Sequence, residues 1–236
     1  MRMDDGQLVA FMGDSITEHL VAVSDAMETQ TDDLPSVGSQ VRVDRHEHRG
    51  WTAILANRIQ LAYPERQIRY INSGIAGDTS RRMLARFDAD ILAHRPQWLM
   101  LSAGVVEVRR TWQLDRQSEA VPLDEYAANL TLMVSRALTA GAQVILLEPT
   151  PHAHPVTGAP SEVTVQDVNT LTRQYAKAMM QVASEARVGF VPLFDSLLRT
   201  EQRLARQASL YADEVHLNAR GDLLYAELVY QYLDSL

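Results

Sequence analysis

The stretch QLVAFMGDSITE, residues 7–18, decides how the rest of the chain is read. Its apolar half has the length of a buried strand, stops abruptly at Gly13-Asp14-Ser15, and passes into helix-like sequence with no linker. A strand that turns directly into a helix is the opening unit of a β-α alternation, and the alternation continues to the other end. Further strand-like runs are QIRYIN (67–72), WLMLSAG (98–104), QVILLEP (143–149) and VGFVPLF (188–194). Around Leu99–Leu101 and Val144–Leu147 the apolar residues are consecutive rather than alternate, as expected of parallel strands buried on both faces.

The intervening segments carry apolar stripes at helical spacing. Met83, Leu84, Phe87 and Ile91 form one, Tyr126, Leu130, Met133 and Ala137 a second, and Val168, Leu171, Tyr175, Met179 and Val182 a third. A last helix from about Ala219 has Leu224, Leu228 and Tyr232 on one face. Five alternations predict an α/β fold: a doubly wound three-layer α/β/α sandwich with about five mostly parallel strands, residues 1–236 forming one domain. Ligands in such sheets bind beyond the carboxyl ends of the strands, near the switch in strand order. Three long connections, 20–50, 105–122 and 149–163, leave strand ends at that edge and are expected to wall a pocket.

A chain of 236 residues is ample for a core, and 46% apolar with 22% charged residues excludes a disordered or fibrous protein. A net charge of −8 without a basic stripe argues against a nucleic-acid partner. The pairs Arg81-Arg82 and Arg109-Arg110 are expected to be solvated or ion-paired. The absence of cysteine removes disulfides, a thiolate nucleophile and any Cys-ligated metal. No apolar run approaches the roughly 20 residues needed to span a bilayer, and no signal-like core precedes the first strand. The expectation is a soluble cytoplasmic protein with no membrane partner.

Three short motifs carry candidate chemistry. Ser15 follows the first strand of a parallel sheet, where its Oγ would face the active edge; the plainer reading is turn and capping chemistry by Asp14 and Ser15. In YADEVHLNARGD, Asp213 stands three residues before His216. A serine hydroxyl needs a base, and the base needs a carboxylate to fix its tautomer, whereas each residue alone also fits an ordinary pre-helix turn. In INSGIAGDTS, Gly74 and Gly77 bracket a turn after Asn72. Such a turn can offer a backbone N–H to an oxyanion, or the glycines can serve tight packing and positive φ.

Taken in this order, GDS at 13–15, N-x-G-x-x-G at 72–77 and D-x-x-H at 213–216 resemble the SGNH (GDSL-type) serine hydrolases, over nearly the whole chain. The likeness is nearest to the single-domain branch of acetylesterases and lysophospholipases. The resemblance implies a five-stranded flavodoxin-like sandwich and a serine esterase acting on a small acyl ester, an acetyl group on a carbohydrate or other polar alcohol, with no cofactor. It implies Ser15 as nucleophile, His216 as general base, Asp213 as its partner, and the N–H groups of Ser15 and Gly77 as the oxyanion hole. Asp14, Glu107 and Arg109 are candidate substrate contacts.

One departure stands out. Where the family has G-x-N-D, this chain has Gly104-Val105-Val106-Glu107. Val106 cannot donate a hydrogen bond, and losing one oxyanion donor costs about 10²–10³ in turnover. Three explanations stay open: another donor such as Arg109 or a residue of the 20–50 loop, a different acyl chemistry that tolerates a two-donor hole, or a pocket kept for binding alone. Acyl transfer to an acceptor other than water on the same triad is a further alternative, since the same acyl-enzyme serves both outcomes. A metal hydrolase is the remaining rival, on Asp44 with His46 and His48, or on His152 and His154, though both histidine pairs lie in polar loops and no metal is expected.

Overall fold

A computed structural model of the protein describes residues 1–18, 50–204 and 208–236. Five parallel strands, β1 (Leu8–Gly13), β2 (Arg69–Gly74), β3 (Trp98–Ser102), β4 (Gln143–Leu147) and β5 (Gly189–Val191), lie in the order β2-β1-β3-β4-β5. The helices are α1 (Ser15–Glu18), α2 (Gly50–Ala62), α3 (Ser80–Asp90), α4 (Val105–Trp112), α5 (Leu123–Thr139), α6 (Val165–Ala186), α7 (Phe194–Leu204) and α8 (Ala219–Asp234). The expected α/β sandwich is therefore present, and its strand order reverses between β1 and β3. That is the switch point at which ligands sit in this class of sheet.

The consecutive apolar residues are explained by two cores, one on each face. Val9, Phe11, Trp98, Met100, Ile145 and Leu147 face one layer, with Trp51 of α2 and Tyr225 and Val229 of α8. Ala10, Met12, Leu99, Leu101, Val144 and Leu146 face the other, with Met83 and Phe87 of α3, Leu130 and Met133 of α5 and Met179 of α6. On the first face Trp51 meets Phe11 edge-on at 5.3 Å between ring centres and Tyr225 at 4.5 Å. Aromatic pairs in these geometries add to what burial alone contributes.

Some expectations need correction. Pairing of β2 begins with Arg69 opposite Leu8, because the Gln67 N–H is already taken by the Asp5 carboxylate at 2.7 Å. The segment 105–122 opens as a helix, α4, rather than a loop. Glu107 reaches back to accept from the Gly104 N–H at 3.0 Å, and Gly104 holds φ 118°, a conformation open to glycine, so the helix starts on the residue after the strand turn. In α8 the buried stripe is Tyr225, Ala226, Val229, Tyr230 and Leu233, while Leu224, Leu228 and Tyr232 only flank it. Most of the 20–50 segment, with Asp44, His46 and His48, lies outside the described residues.

Candidate active site

Ser15 is the first residue after the β1 turn and is 8% exposed. Gly13 makes the turn tight: a Cβ there would come within 2.2 Å of Thr17 Oγ1. His216 arrives from the far end of the chain on a short hairpin, in which Tyr211 bridges Leu217 and the Ala212 N–H donates to the His216 carbonyl at 2.8 Å. Asp213 shapes that hairpin by accepting from the Val215 and His216 N–H groups at 2.9 and 2.8 Å. Asn218 then caps α8, accepting from the Arg220 N–H at 2.9 Å.

This local folding brings three predicted residues into line. His216 Nδ1 lies 2.6 Å from Asp213 Oδ2, and Nε2 lies 2.8 Å from Ser15 Oγ. A carboxylate only accepts, so Nδ1 carries the proton and Nε2 is left to accept from the serine hydroxyl. Burial pushes the Asp213 carboxyl up, but the two N–H groups and the His216 ring outweigh it and hold the carboxyl below its ordinary value. An ionised partner behind a neutral imidazole is what a serine nucleophile requires.

The glycine turn is stitched to the serine turn. The Ile75 N–H donates to the Gly13 carbonyl at 3.0 Å, the Ala76 N–H to Glu18 at 2.5 Å, and Asn72 Nδ2 to the Thr17 carbonyl at 2.8 Å. Gly74 is required by close approach, since a Cβ would stand 2.2 Å from the Glu18 nitrogen. Gly77 is required by its backbone, at φ +74°, and a Cβ there would lie 3.2 Å from Arg110 Nη2. Val106, 3% exposed, sits in the first turn of α4, just after β3, and its side chain offers no donor.

The three candidate substrate contacts are placed differently from expectation. Asp14 is 1% exposed, with Oδ1 accepting from the Ile16 N–H at 3.0 Å, and burial pushes its carboxyl up to about 7. Glu107 is fully buried and joins two helix starts, accepting from the Ser80 N–H at 2.5 Å and the Gly104 N–H at 3.0 Å. Burial raises its carboxyl too, against those hydrogen bonds. Neither carboxylate therefore faces a substrate. Arg109 is partly exposed, but its guanidinium is engaged by Glu214 at 2.5 Å.

Sequence reasoning missed Glu214, and read His152 only as a possible metal ligand and Arg110 only as a solvated or ion-paired residue. Glu214 lies within D-E-V-H and clasps the Tyr211–Leu217 hairpin to both neighbours. It holds Arg109 on one side, accepts from the Thr157 N–H and hydroxyl at 2.7 Å each on the other, and its carbonyl accepts from the Ala153 N–H at 2.8 Å. His152 is buried while His154 is exposed, so the pair does not share one side as the metal reading needed. Asn169 holds the backbone of His152 at both N–H and C=O, and burial, then the Arg109 charge, lowers its imidazole to about 3, so the ring is neutral. Among the described residues no three His, Asp or Glu side chains gather as a metal site. No helix among them is long and apolar enough to cross a membrane. Nothing in D-E-V-H or P-H-A-H signals these contacts, because each partner comes from a distant segment.

Comparison with known proteins gives a consistent result. Residues 11–224 match the GDSL-like lipase/acylhydrolase family model. An acetylxylan esterase from Geobacillus stearothermophilus is 29% identical over 231 residues, covering 96% of this chain and 93% of that enzyme. A crystal structure of an acetylxylan esterase from that organism superposes with a TM-score of 0.78 at 24% identity, covering 99% of this chain and 96% of its own. Solved variants of it described as catalytic mutants replace a serine, an aspartate or a histidine with alanine. An α/β hydrolase from the metagenome of Lake Arreo, Spain, superposes with a TM-score of 0.73 at 21% identity, over 98% of this chain and 97% of its own. The chain belongs to the GDSL-like lipase/acylhydrolase family and is an SGNH-type serine-dependent carboxylic-ester hydrolase.

Proposed function

We propose that residues 1–236 act as one domain that removes acetyl groups from a carbohydrate through a Ser15-His216-Asp213 triad and an acyl-enzyme. The observation that carries this reading is the unbroken line from Asp213 through His216 to Ser15, with contacts of 2.6 and 2.8 Å. The acetylxylan esterase relative supports the acyl group and the sugar alcohol.

In the first step His216 Nε2 takes the Ser15 proton as Oγ bonds to the ester carbonyl carbon, and the carbonyl electron pair moves onto oxygen. The N–H groups of Ser15 and Gly77 receive that oxyanion. The pair returns, the sugar oxygen leaves with the proton from His216, and an acetyl ester on Ser15 remains. Water attacks by the same proton path, releasing acetate and regenerating Ser15. Asp213 holds the ring throughout and stabilises the imidazolium without being protonated.

The test is hydrolysis of p-nitrophenyl acetate and of acetylated xylo-oligosaccharides by the protein and its Ser15→Ala variant, with fluorophosphonate labelling beside them. Turnover and label should both vanish with Ser15. Equal rates in the two proteins would remove the nucleophile from Ser15. Labelling without turnover of any acetylated sugar would refute the substrate.

A further inference from the structure

Val106 puts an isopropyl group where a hydrogen-bond donor would favour the transition state. Arg109 and Arg110 follow Val106 by three and four residues on α4, so both lie on its side of the helix. Their surroundings differ. Arg109 has Glu214 to itself at 2.5 Å, although its buried Nε also lacks a directed hydrogen bond. Arg110 is 4% exposed, and its Nη2 is the atom that approaches Gly77.

The charge on Arg110 is incompletely cancelled. Its Nη1 donates to Gln113, but its buried Nε lies 3.3 Å from Glu119 without a directed hydrogen bond. Glu119 is shared. It takes Arg116 on both oxygens at 2.8 and 2.9 Å and also faces Arg82 at 3.4 Å. One carboxylate thus serves three guanidinium groups, and the most buried of the three abuts the predicted oxyanion glycine. Glu107 fixes this approach, since it ties the Ser80 end of the glycine turn to the start of α4.

We propose that Arg110 is the third oxyanion-stabilising group, a guanidinium beside Gly77 that supplies what Val106 cannot. The proposal rests on the serine-esterase reading above. As Ser15 Oγ bonds to the carbonyl carbon, the displaced electron pair places negative charge on the oxygen at Gly77, where the Nη2 proton donates to it. When the pair returns and the alcohol leaves, that hydrogen bond relaxes. Arg110 exchanges no proton at either step. A charge-assisted donor is roughly twice as strong as a neutral one, so one guanidinium suffices for a missing amide.

The experiment compares wild type, Arg110→Met, Val106→Asn and the double variant with p-nitrophenyl acetate, and measures binding of methylboronic acid, whose tetrahedral serine adduct carries an oxygen in the hole. Arg110→Met should lower kcat about 100-fold with KM changed less than about threefold, and weaken boronate binding by a similar factor. Val106→Asn should restore at least about tenfold to the Arg110→Met protein and add less than about threefold to the wild type. A kcat loss with boronate affinity unchanged would reduce Arg110 to a packing residue and overturn the proposal. A gain of about tenfold or more from Val106→Asn alone would overturn it as well, by exposing a vacant donor position; this arm stands even if Arg110→Met fails to fold. Absence of Ser15-dependent turnover in the wild type would instead overturn the esterase reading itself, before Arg110 is altered.

Discussion

Replacing Asp14 by Asn isolates one buried carboxyl beside Ser15. Burial raises that carboxyl from 3.8 to about 7; the Ile16 N–H and Arg109 oppose the rise, and Glu107 and Asp78 add to it. In an unfolded chain an Asp titrates near 3.9. Between those values the folded protein keeps a proton that the unfolded chain has lost, so its contribution to stability is largest below about pH 4 and falls as pH rises to about 7. Each pH unit carries about 1.4 kcal/mol, which puts roughly 4 kcal/mol across the window. With 1% exposure there is little solvent to screen the effect. Asn keeps the acceptor for the Ile16 N–H and cannot ionise. Urea unfolding of both proteins at about pH 4.5, 6 and 7.5 measures the difference, and subtraction removes the titrations they share. The Asn variant should gain on the wild type steadily across the window and no further above about pH 8. Parallel stability curves would mean that Asp14 titrates alike in both states, and the reasoning from burial would fail.

Three other outcomes are expected. Gly74→Ala drives a Cβ to within 2.2 Å of the Glu18 nitrogen and 2.6 Å of the Thr17 carbonyl carbon, backbone atoms that cannot step aside. It should cost about 3 kcal/mol or more, read as a fall in Tm of roughly 6–12 °C, and an unchanged Tm would refute the clash. Glu214→Ala releases Arg109 and both Thr157 donors, and should destabilise by roughly 2–3 kcal/mol in denaturant unfolding; a loss below about 0.5 kcal/mol would show the clasp to be passive. Asp213→Asn should lower kcat by about 10⁴-fold by reversing the histidine tautomer, with a loss under tenfold counting against the triad. Its carboxyl lies below the ordinary range in the folded protein, so the stability it supplies is present above about pH 4 and lost as pH falls further, a limb the Asn variant should lack.

The layers were legible because burial on both faces leaves a direct mark. Leu99, Met100 and Leu101 are apolar in succession because alternate residues enter opposite cores, and no other strand environment asks for that. The alignment of Ser15, His216 and Asp213 was legible for a related reason: each half is local. Asp213 reaches His216 within one turn, and Ser15 is fixed by its own strand end. Helix α4 was not legible. Its Val-Val-Glu-Val start has poor helix propensity, and what begins it is the positive φ of Gly104 with the reach-back of Glu107. The α8 stripe was misplaced by about one residue because Leu224 and Tyr225, or Leu228 and Val229, are both apolar, and only packing against Trp51 chooses between them.

The buried carboxylates were illegible for a deeper reason, and they bear on the chemistry. Asp14 and Glu107 follow adjacent strands at the sheet edge, and each looks like a residue aimed at substrate. Their acceptors are satisfied instead by backbone N–H groups, Ile16 for one and Ser80 with Gly104 for the other, and no sequence pattern announces a bond to a helix start 27 residues away. Their burial sets the electrostatics around the proposed oxyanion site. Negative charge held close to that point opposes more negative charge, so a hole in this position is favoured by the raised carboxyl of Asp14 and by the hydrogen bonds that occupy Glu107. It also gains from a nearby cation that other carboxylates do not fully neutralise. Arg110, sharing Glu119 with two other arginines, meets that requirement, whereas Arg109, paired with Glu214, is occupied with holding the hairpin that carries Asp213 and His216. Two adjacent arginines that look interchangeable in the sequence are thereby given different tasks by which carboxylate each one meets.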